Sequence, residues 1–350
     1  MYRVGNLLAV CLLLATLPAC KKDGADKPAN ATSGEAAKAP AGPVVIYTSV
    51  DEEFARQVLD AYRAKTGAEL SVVYDSEAGK TTGLVRRLEM EVDRPRCDVF
   101  WSGELFNTIL LARAGVLDSY DSPAAADIPA AYRDPQHRWT ATGLRGRVLA
   151  FDPQRGKDHP APTTWEQLAD PAYAPDLAFA NPLFGTTRGH IAAMYALWGP
   201  QRGRAWLIGL RDGRARMLDG NSAAVRAVAA GQAQWCATDT DDVWVAQRAG
   251  ESLELRYLDM GDGGTLLIPC SVAVVKGAPN PAGARHLADY LVSPEVERML
   301  AESASRNIPV RESLRKELGL ELPPCSKVSY DAIADAMDEA VAAAREILLQ

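Results

Sequence analysis

From Val44 onward, short apolar runs alternate with longer stretches in which apolar residues recur every three or four positions. Val44-Val45-Ile46-Tyr47 is a buried-strand pattern closed by Thr48-Ser49. The stretch 51–65 then puts Phe54, Val58, Leu59 and Tyr62 on one helical face, with Gly67 just past its end. The same spacing predicts strands at 70–74 and 98–101 and helices at 81–90 and 105–114, the last stopped by Gly115. A connecting strand at 148–152 and a turn-rich stretch at 153–162 lead into a second series. It holds strands at 177–180 and 234–238 and helices that run to 197 and over 202–210, 221–230 and 241–249. An apolar strand at 265–275 and helices at 284–292, 294–302 and 328–349 follow, and no solenoid repeat interrupts them. Strands alternating with amphipathic helices imply an α/β fold whose parallel sheet is covered on both faces. Guests of such sheets sit at the loops after the strand C-termini, here 48–53, 75–80 and 102–104, all rich in carboxylates and hydroxyls. Two βα blocks and a return segment suggest two lobes joined by crossover strands.

Ahead of this pattern the chain has a different character. Arg3, the apolar run 7–17 and Leu17-Pro18-Ala19-Cys20 look like an export signal ending in a bacterial lipobox. The expectation is a signal peptide over 1–19, lipidation of Cys20, and a flexible tether to residue 43 built from Lys, Ala, Gly, Pro, Ser and Asp. A net charge of −7 argues against nucleic acid as a partner, because phosphate needs a basic face. At 47% hydrophobic and 24% charged residues, the 350-residue chain is an ordinary globular protein long enough for two lobes. Cys97, Cys236, Cys270 and Cys325 lack zinc-type spacing, and their sequence leaves both disulfides and buried thiols open.

Several segments are similar to the iron-type periplasmic solute-binding proteins, the group that includes the bacterial ferric-ion-binding proteins. The resemblance runs from about residue 44 to 311. It is carried by Tyr47-Thr48-Ser49-Val50-Asp51-Glu52-Glu53-Phe54, Thr81-Thr82-Gly83-Leu84, Asp98-Val99-Phe100-Trp101-Ser102-Gly103-Glu104, Asn181-Pro182-Leu183-Phe184-Gly185-Thr186-Thr187, Thr238-Asp239-Thr240-Asp241-Asp242, Ser293-Pro294-Glu295 and Asn307-Ile308-Pro309-Val310-Arg311. It implies a two-lobed type-2 periplasmic binding protein with a hinge of crossover strands. The expected lobes are 44–143 with about 264–308, and about 144–263 with 309–350. It also implies docking on an ABC permease of the inner membrane, a periplasmic location on a lipid anchor, and action as a monomer. Where ferric-binding members place two adjacent tyrosine ligands, this chain has Asp241 and Asp242. Glu104 matches a first-lobe glutamate ligand, Asp51 or Glu52 lies near a histidine ligand, and Asn221 resembles an anion-holding asparagine.

The residues themselves point the same way. Asp51, Glu52, Glu77, Glu104, Asp239, Asp241 and Asp242 fall in loops expected to face one cleft, where crowded like charges resist closure unless a cation neutralises them. Carboxylates and hydroxyls suit hard cations such as ferric iron, calcium or magnesium. Such acids also serve as helix N-caps and first-turn charges, the expected role of at least one of Asp51, Glu52 and Glu53. An EF-hand is excluded, since the sixth and twelfth positions counted from Asp239 are Trp244 and Gly250. Gly185, Thr186, Thr187 and Arg188, with Asn221 and Ser222, form candidate anion cradles at helix starts. They fit an anion beside a metal or, alternatively, an organophosphate or phosphonate ligand. His190 is left out of the metal set, and Trp101, Phe184 and Trp244 fit a core role better than a cleft role. No nucleophile elbow, zinc-protease motif or Walker A sequence occurs, so a non-enzymatic receptor is expected over a secreted carboxylate hydrolase.

Overall fold

A computed structural model describes residues 42–75, 81–155 and 160–349. Its first elements are β1 (Val44–Thr48), α1 (Glu52–Thr66), β2 (Leu70–Tyr74), α2 (Thr82–Met90), β3 (Val99–Ser102), α3 (Phe106–Arg113) and the twelve-residue β4 (Thr140–Phe151). A second run follows: β5 (Leu177–Ala180), α4 (Gly185–Trp198), α5 (Pro200–Asp212), β6 (Arg216–Leu218), α6 (Asn221–Ala229), β7 (Trp235–Asp239), α7 (Thr240–Arg248) and β8 (Glu254–Tyr257). The chain ends with β9 (Leu267–Val274), α8 (Pro281–Leu291), α9 (Pro294–Glu302), α10 (Glu312–Glu317) and α11 (Tyr330–Leu348).

The strands lie in the order β2-β1-β3-β9-β4-β7-β5-β6, with β8 added on β4. The triplets β2-β1-β3 and β7-β5-β6 are parallel, whereas β9 and β4 run antiparallel to their neighbours and join them. β4 carries the join. Residues 140–146 pair with β9, and from Arg147 onward the strand pairs with β7 and then β8. The expected lobe division at 143/144 falls inside this strand.

Burial on both faces explains why these strands read as continuous apolar runs. In the first half, Ile46, Val99 and Trp101 pack toward α1, α8 and α9, while Tyr47 and Phe100 pack toward α2 and α3. In the second half, Leu149, Leu177, Phe179 and Trp235 meet α4, α5 and α11, while Val148, Ala178 and Cys236 meet α6 and α7. Each sheet half is therefore sandwiched between helices, and its helices begin where the strands end. Trp101 is core, its indole N–H donating to Thr142 at 3.2 Å, and Trp244 packs partly buried against the first core.

One expectation is corrected, and three short elements are added to those expected. The connecting strand is more than twice as long as its apolar segment, because Thr140, Thr142, Gly143, Arg145, Gly146 and Arg147 interrupt the apolar pattern of a strand that is buried throughout residues 140–150. The short elements β6, β8 and α10 were too brief or too polar to stand out. The four cysteines are free thiols, with Cys97, Cys236 and Cys270 buried and Cys325 exposed. No described helix is long and apolar enough to cross a membrane. The signal segment, Cys20, most of the tether and Glu77 lie outside the described residues.

Candidate functional site

Helices α1, α2, α3, α4, α6 and α7 begin around one cleft of about 550 Å³, lined by Ser49, Asp51, Thr81, Gly103 and Glu104 from one side and by segments 180–187, 219–221 and Asp242 from the other. Hydroxyls stitch the first wall together. Ser49 Oγ accepts from Thr81 Oγ1 at 3.1 Å and from the Gly103 amide at 3.0 Å, and lies 3.4 Å from Ser102 Oγ.

The expected acids take three different roles. Asp51 and Asp242 line the cleft. Asp242 accepts from Thr238 Oγ1 at 2.9 Å and from Ser222 Oγ at 3.4 Å, hydroxyls that orient it. Glu104 also lines the cleft, yet its carboxylate is engaged locally. It accepts from the Phe106 amide at 2.7 Å, the Asn107 amide at 3.2 Å and the Asn107 side chain at 2.8 Å, closing the start of α3. Burial pushes its pKa up, partly offset by those hydrogen bonds and by the charge of Arg188. Glu52 is exposed on α1, ion-paired with Arg56, and does not reach the cleft.

Asp239 and Asp241 are buried and already face guanidinium groups. Arg147, with no exposed surface, donates through Nη1 to Asp239 Oδ1 at 2.8 Å. Asp239 Oδ2 accepts from Asn221 Nδ2 at 2.8 Å and from the Thr186 hydroxyl. Arg145 Nη1 sits 2.9 Å from Asp241 Oδ2 and 3.8 Å from Asp239 Oδ2, and Arg145 lines the cleft. One carboxylate oxygen from each of Asp239, Asp241 and Asp242 lies within 4.8 Å of the others. These three carboxylates are crowded, and the chain supplies two counter-charges of its own beside them. Neither arginine stood out in the sequence. Their signal was a pair of charges at i and i+2 in a strand, which places both side chains on one face.

On the anion side, Gly185, Thr186, Thr187 and Asn221 line the cleft, and Ser222 stands behind Asp242. The residues flanking α4 and α6, Phe184 and Gly220, have no side chain that can cap, and no acid occupies the first turn of either helix. Amide donors are thus available there to a guest anion. Arg188 is placed elsewhere: it donates to Asn107 Oδ1 at 2.6 Å and is absent from the cleft lining. His190 accepts from Arg147 Nε at 3.3 Å and is held neutral, its pKa driven well down by burial and by Arg147. Phe184 lines the cleft, as do Ser49, Thr81 and Asn181 from the segments that carry the resemblance, and Asp219 is a lining residue that the sequence did not single out.

Comparison with known proteins now has a geometry to meet. The sequence profile described as Bacterial extracellular solute-binding protein matches residues 98–330. Iron uptake protein A1 of Synechocystis sp. is 23% identical over 357 residues, covering 94% of this chain and 96% of its own. Iron-bound HitA from Pseudomonas aeruginosa superposes with a TM-score of 0.77 at 22% identity, over 87% of this chain and 99% of that one. The periplasmic binding protein AfuA from Actinobacillus pleuropneumoniae, solved with fructose-6-phosphate, reaches 0.76 at 18% identity over 89% and 99%. The fold is accordingly the two-lobed type-2 binding fold expected from the sequence. With a family match over two-thirds of its length, this chain belongs to the bacterial extracellular solute-binding proteins.

Proposed function

We propose that this chain is the extracytoplasmic receptor of an ABC importer, capturing ferric iron or another hard cation together with a small anion by closure of two lobes hinged at β4 and β9. It binds without catalysis. Cys20 carries the lipid that holds it at the membrane, and the permease receives the loaded form.

One observation carries the reading: the carboxylates of Asp51, Glu104 and Asp242 and the uncapped starts of α4 and α6 line one and the same cleft. A hard cation suits the carboxylates and its accompanying anion the uncapped helix starts. The printed names of the relatives, an iron uptake protein and an iron-bound binding protein, support the cation choice. An organophosphate receptor is supported less well, because Arg188, the guanidinium expected to hold the phosphate, is committed to Asn107.

The test is elemental analysis of native protein followed by thermal melts with ferric citrate, Tb³⁺, Ca²⁺ and fructose-6-phosphate. A guest that binds only the folded form at a hundredfold excess over its Kd stabilises by about 2.7 kcal/mol. Iron retention and a ferric or Tb³⁺ shift are expected. A shift with fructose-6-phosphate alone, or none with any cation, sinks the reading.

A further inference from the structure

Arg145 is the one guanidinium that lines the cleft among the described residues, and the receptor reading gives it no task. It is 8% exposed, held by β4, and placed between Asp239 and Asp241, two of the three carboxylates whose oxygens converge within 4.8 Å. Its hydrogen bonding is incomplete. Nη1 meets Asp241, Nη2 has only the Cys270 sulfur at 3.5 Å, and Nε is buried without a partner. Arg147 also has a buried Nη2 without a partner, but it is fully buried and absent from the cleft lining, with Asp239, Thr186 and His190 as partners. Arg147 is therefore a structural charge, whereas Arg145 borders the space a guest enters.

We propose that Arg145 is a specificity-determining residue: a tethered counter-cation that occupies the carboxylate cluster and yields Asp241 only to a guest of higher charge. The inference rests on the receptor reading for its guest, though not for its geometry.

The physical argument is one of exchange. A cation bound by Asp241 must replace a charge-assisted contact at 2.9 Å in a poorly solvated site, where attraction scales with the guest's charge. A divalent ion gains one unit over the guanidinium it displaces and a trivalent ion gains two. The released guanidinium stays in the cleft, where leaving it unpaired is costly, so weakly attracted guests are rejected. Removing Arg145 should then strengthen binding of divalent ions, the opposite of what a guest-contacting residue would do.

Tb³⁺ and Ca²⁺ are hard ions of closely similar size, so their ratio of affinities isolates charge. Wild-type protein should bind Tb³⁺ and discriminate strongly against Ca²⁺. Arg145→Met should raise Ca²⁺ affinity by about tenfold or more and narrow the ratio, while Arg145→Lys, which keeps the charge, should retain most of the discrimination. An unchanged ratio in Arg145→Met, or weaker binding of both ions, overturns the proposal. Should that variant not fold, a crystal structure of the wild type with Tb³⁺ decides. Arg145 should have left Asp241, and an intact pair beside bound Tb³⁺ overturns the idea. The two readings fail separately. A wild type that binds no cation while Arg145→Met gains Ca²⁺ removes the receptor's guest but keeps the counter-cation, and the reverse pattern does the opposite.

Discussion

The helix starts around the cleft fall into two groups. α1, α3 and α7 bring acids with them: Asp51 before α1, Glu104 before α3, and Asp239, Asp241 and Asp242 at α7. α2, α4 and α6 have no acid in the first turn, although Asp219 lines the cleft two residues before α6. All six present the positive end of a helix dipole, an end that attracts negative charge by about 0.3–1 kcal/mol. Where the chain supplies the negative charge itself, the surface turns attractive to cations. Where it withholds it, the donors remain for an anion. Away from the cleft, α8, α9 and α11 are closed by the side chains of Asn280, Ser293 and Ser329, each accepting from a first-turn amide. Such a cap contributes about 0.5–2 kcal/mol, so leaving α4 and α6 without one forgoes stability at the place where a guest can supply it.

The largest expected effect tests which acids belong to the structure and which to the guest. Arg147→Met strands the Asp239 carboxylate in the interior and should cost about 3–5 kcal/mol, read by denaturant unfolding of the unliganded protein. If the variant instead keeps its stability and binds cations more tightly, Asp239 belongs with the guest ligands and the division drawn here breaks. Next in size is Asp242→Asn. Because neutral hydroxyls hold this residue, the change should leave unliganded stability nearly intact yet weaken Tb³⁺ binding by about tenfold or more. A titration in which stability falls and affinity does not would assign Asp242 to the scaffold.

The uncapped helix starts should respond to a smaller degree. Thr187→Val removes one hydroxyl donor from the lining at the start of α4, and the dependence of Tb³⁺ affinity on added bicarbonate or phosphate should weaken by about three- to tenfold. Cation affinity measured without added anion should not move. Equal losses with and without anion would mean that the acids and the uncapped helix starts do not divide the work.

What the sequence made legible follows from where the signal lies. β1, β3, β5 and β7 are short apolar runs between helices, so their position and the loops after them could be read directly, and with them Asp51, Glu104, Asp242 and the 185–187 cradle. β4 could not be read in full, because Arg145 and Arg147 make a buried strand look like a polar connection. The residues that hid the strand are the ones that neutralise Asp239 and Asp241. Arg188 was misplaced for a similar reason. It lies in the first turn of α4, and a Cβ on the adjacent Gly189 would sit 2.1 Å from the Phe106 ring. That close approach of α4 to α3 is what brings Arg188 to Asn107, and a contact between elements so far apart in the chain leaves no periodic trace.

The smallest effect concerns Glu104, which stands on the boundary between the two kinds of acid. Its pKa is raised by burial, so the folded protein holds the proton more tightly than the unfolded chain, whose glutamates titrate near about 4.3. The number of bound protons is then larger in the native state, and stability must fall as pH rises from that value through the raised native one, flattening above it. Glu104→Gln keeps an acceptor for the α3 amides and abolishes the titration. Its unfolding free energy, measured across acidic pH, should lack the decline that the wild type shows in that window. Identical slopes would mean that Glu104 ionises in the folded protein as readily as in the unfolded chain. Its charge would then belong with Asp51 and Asp242 among the acids open to a guest cation instead of closing the start of α3.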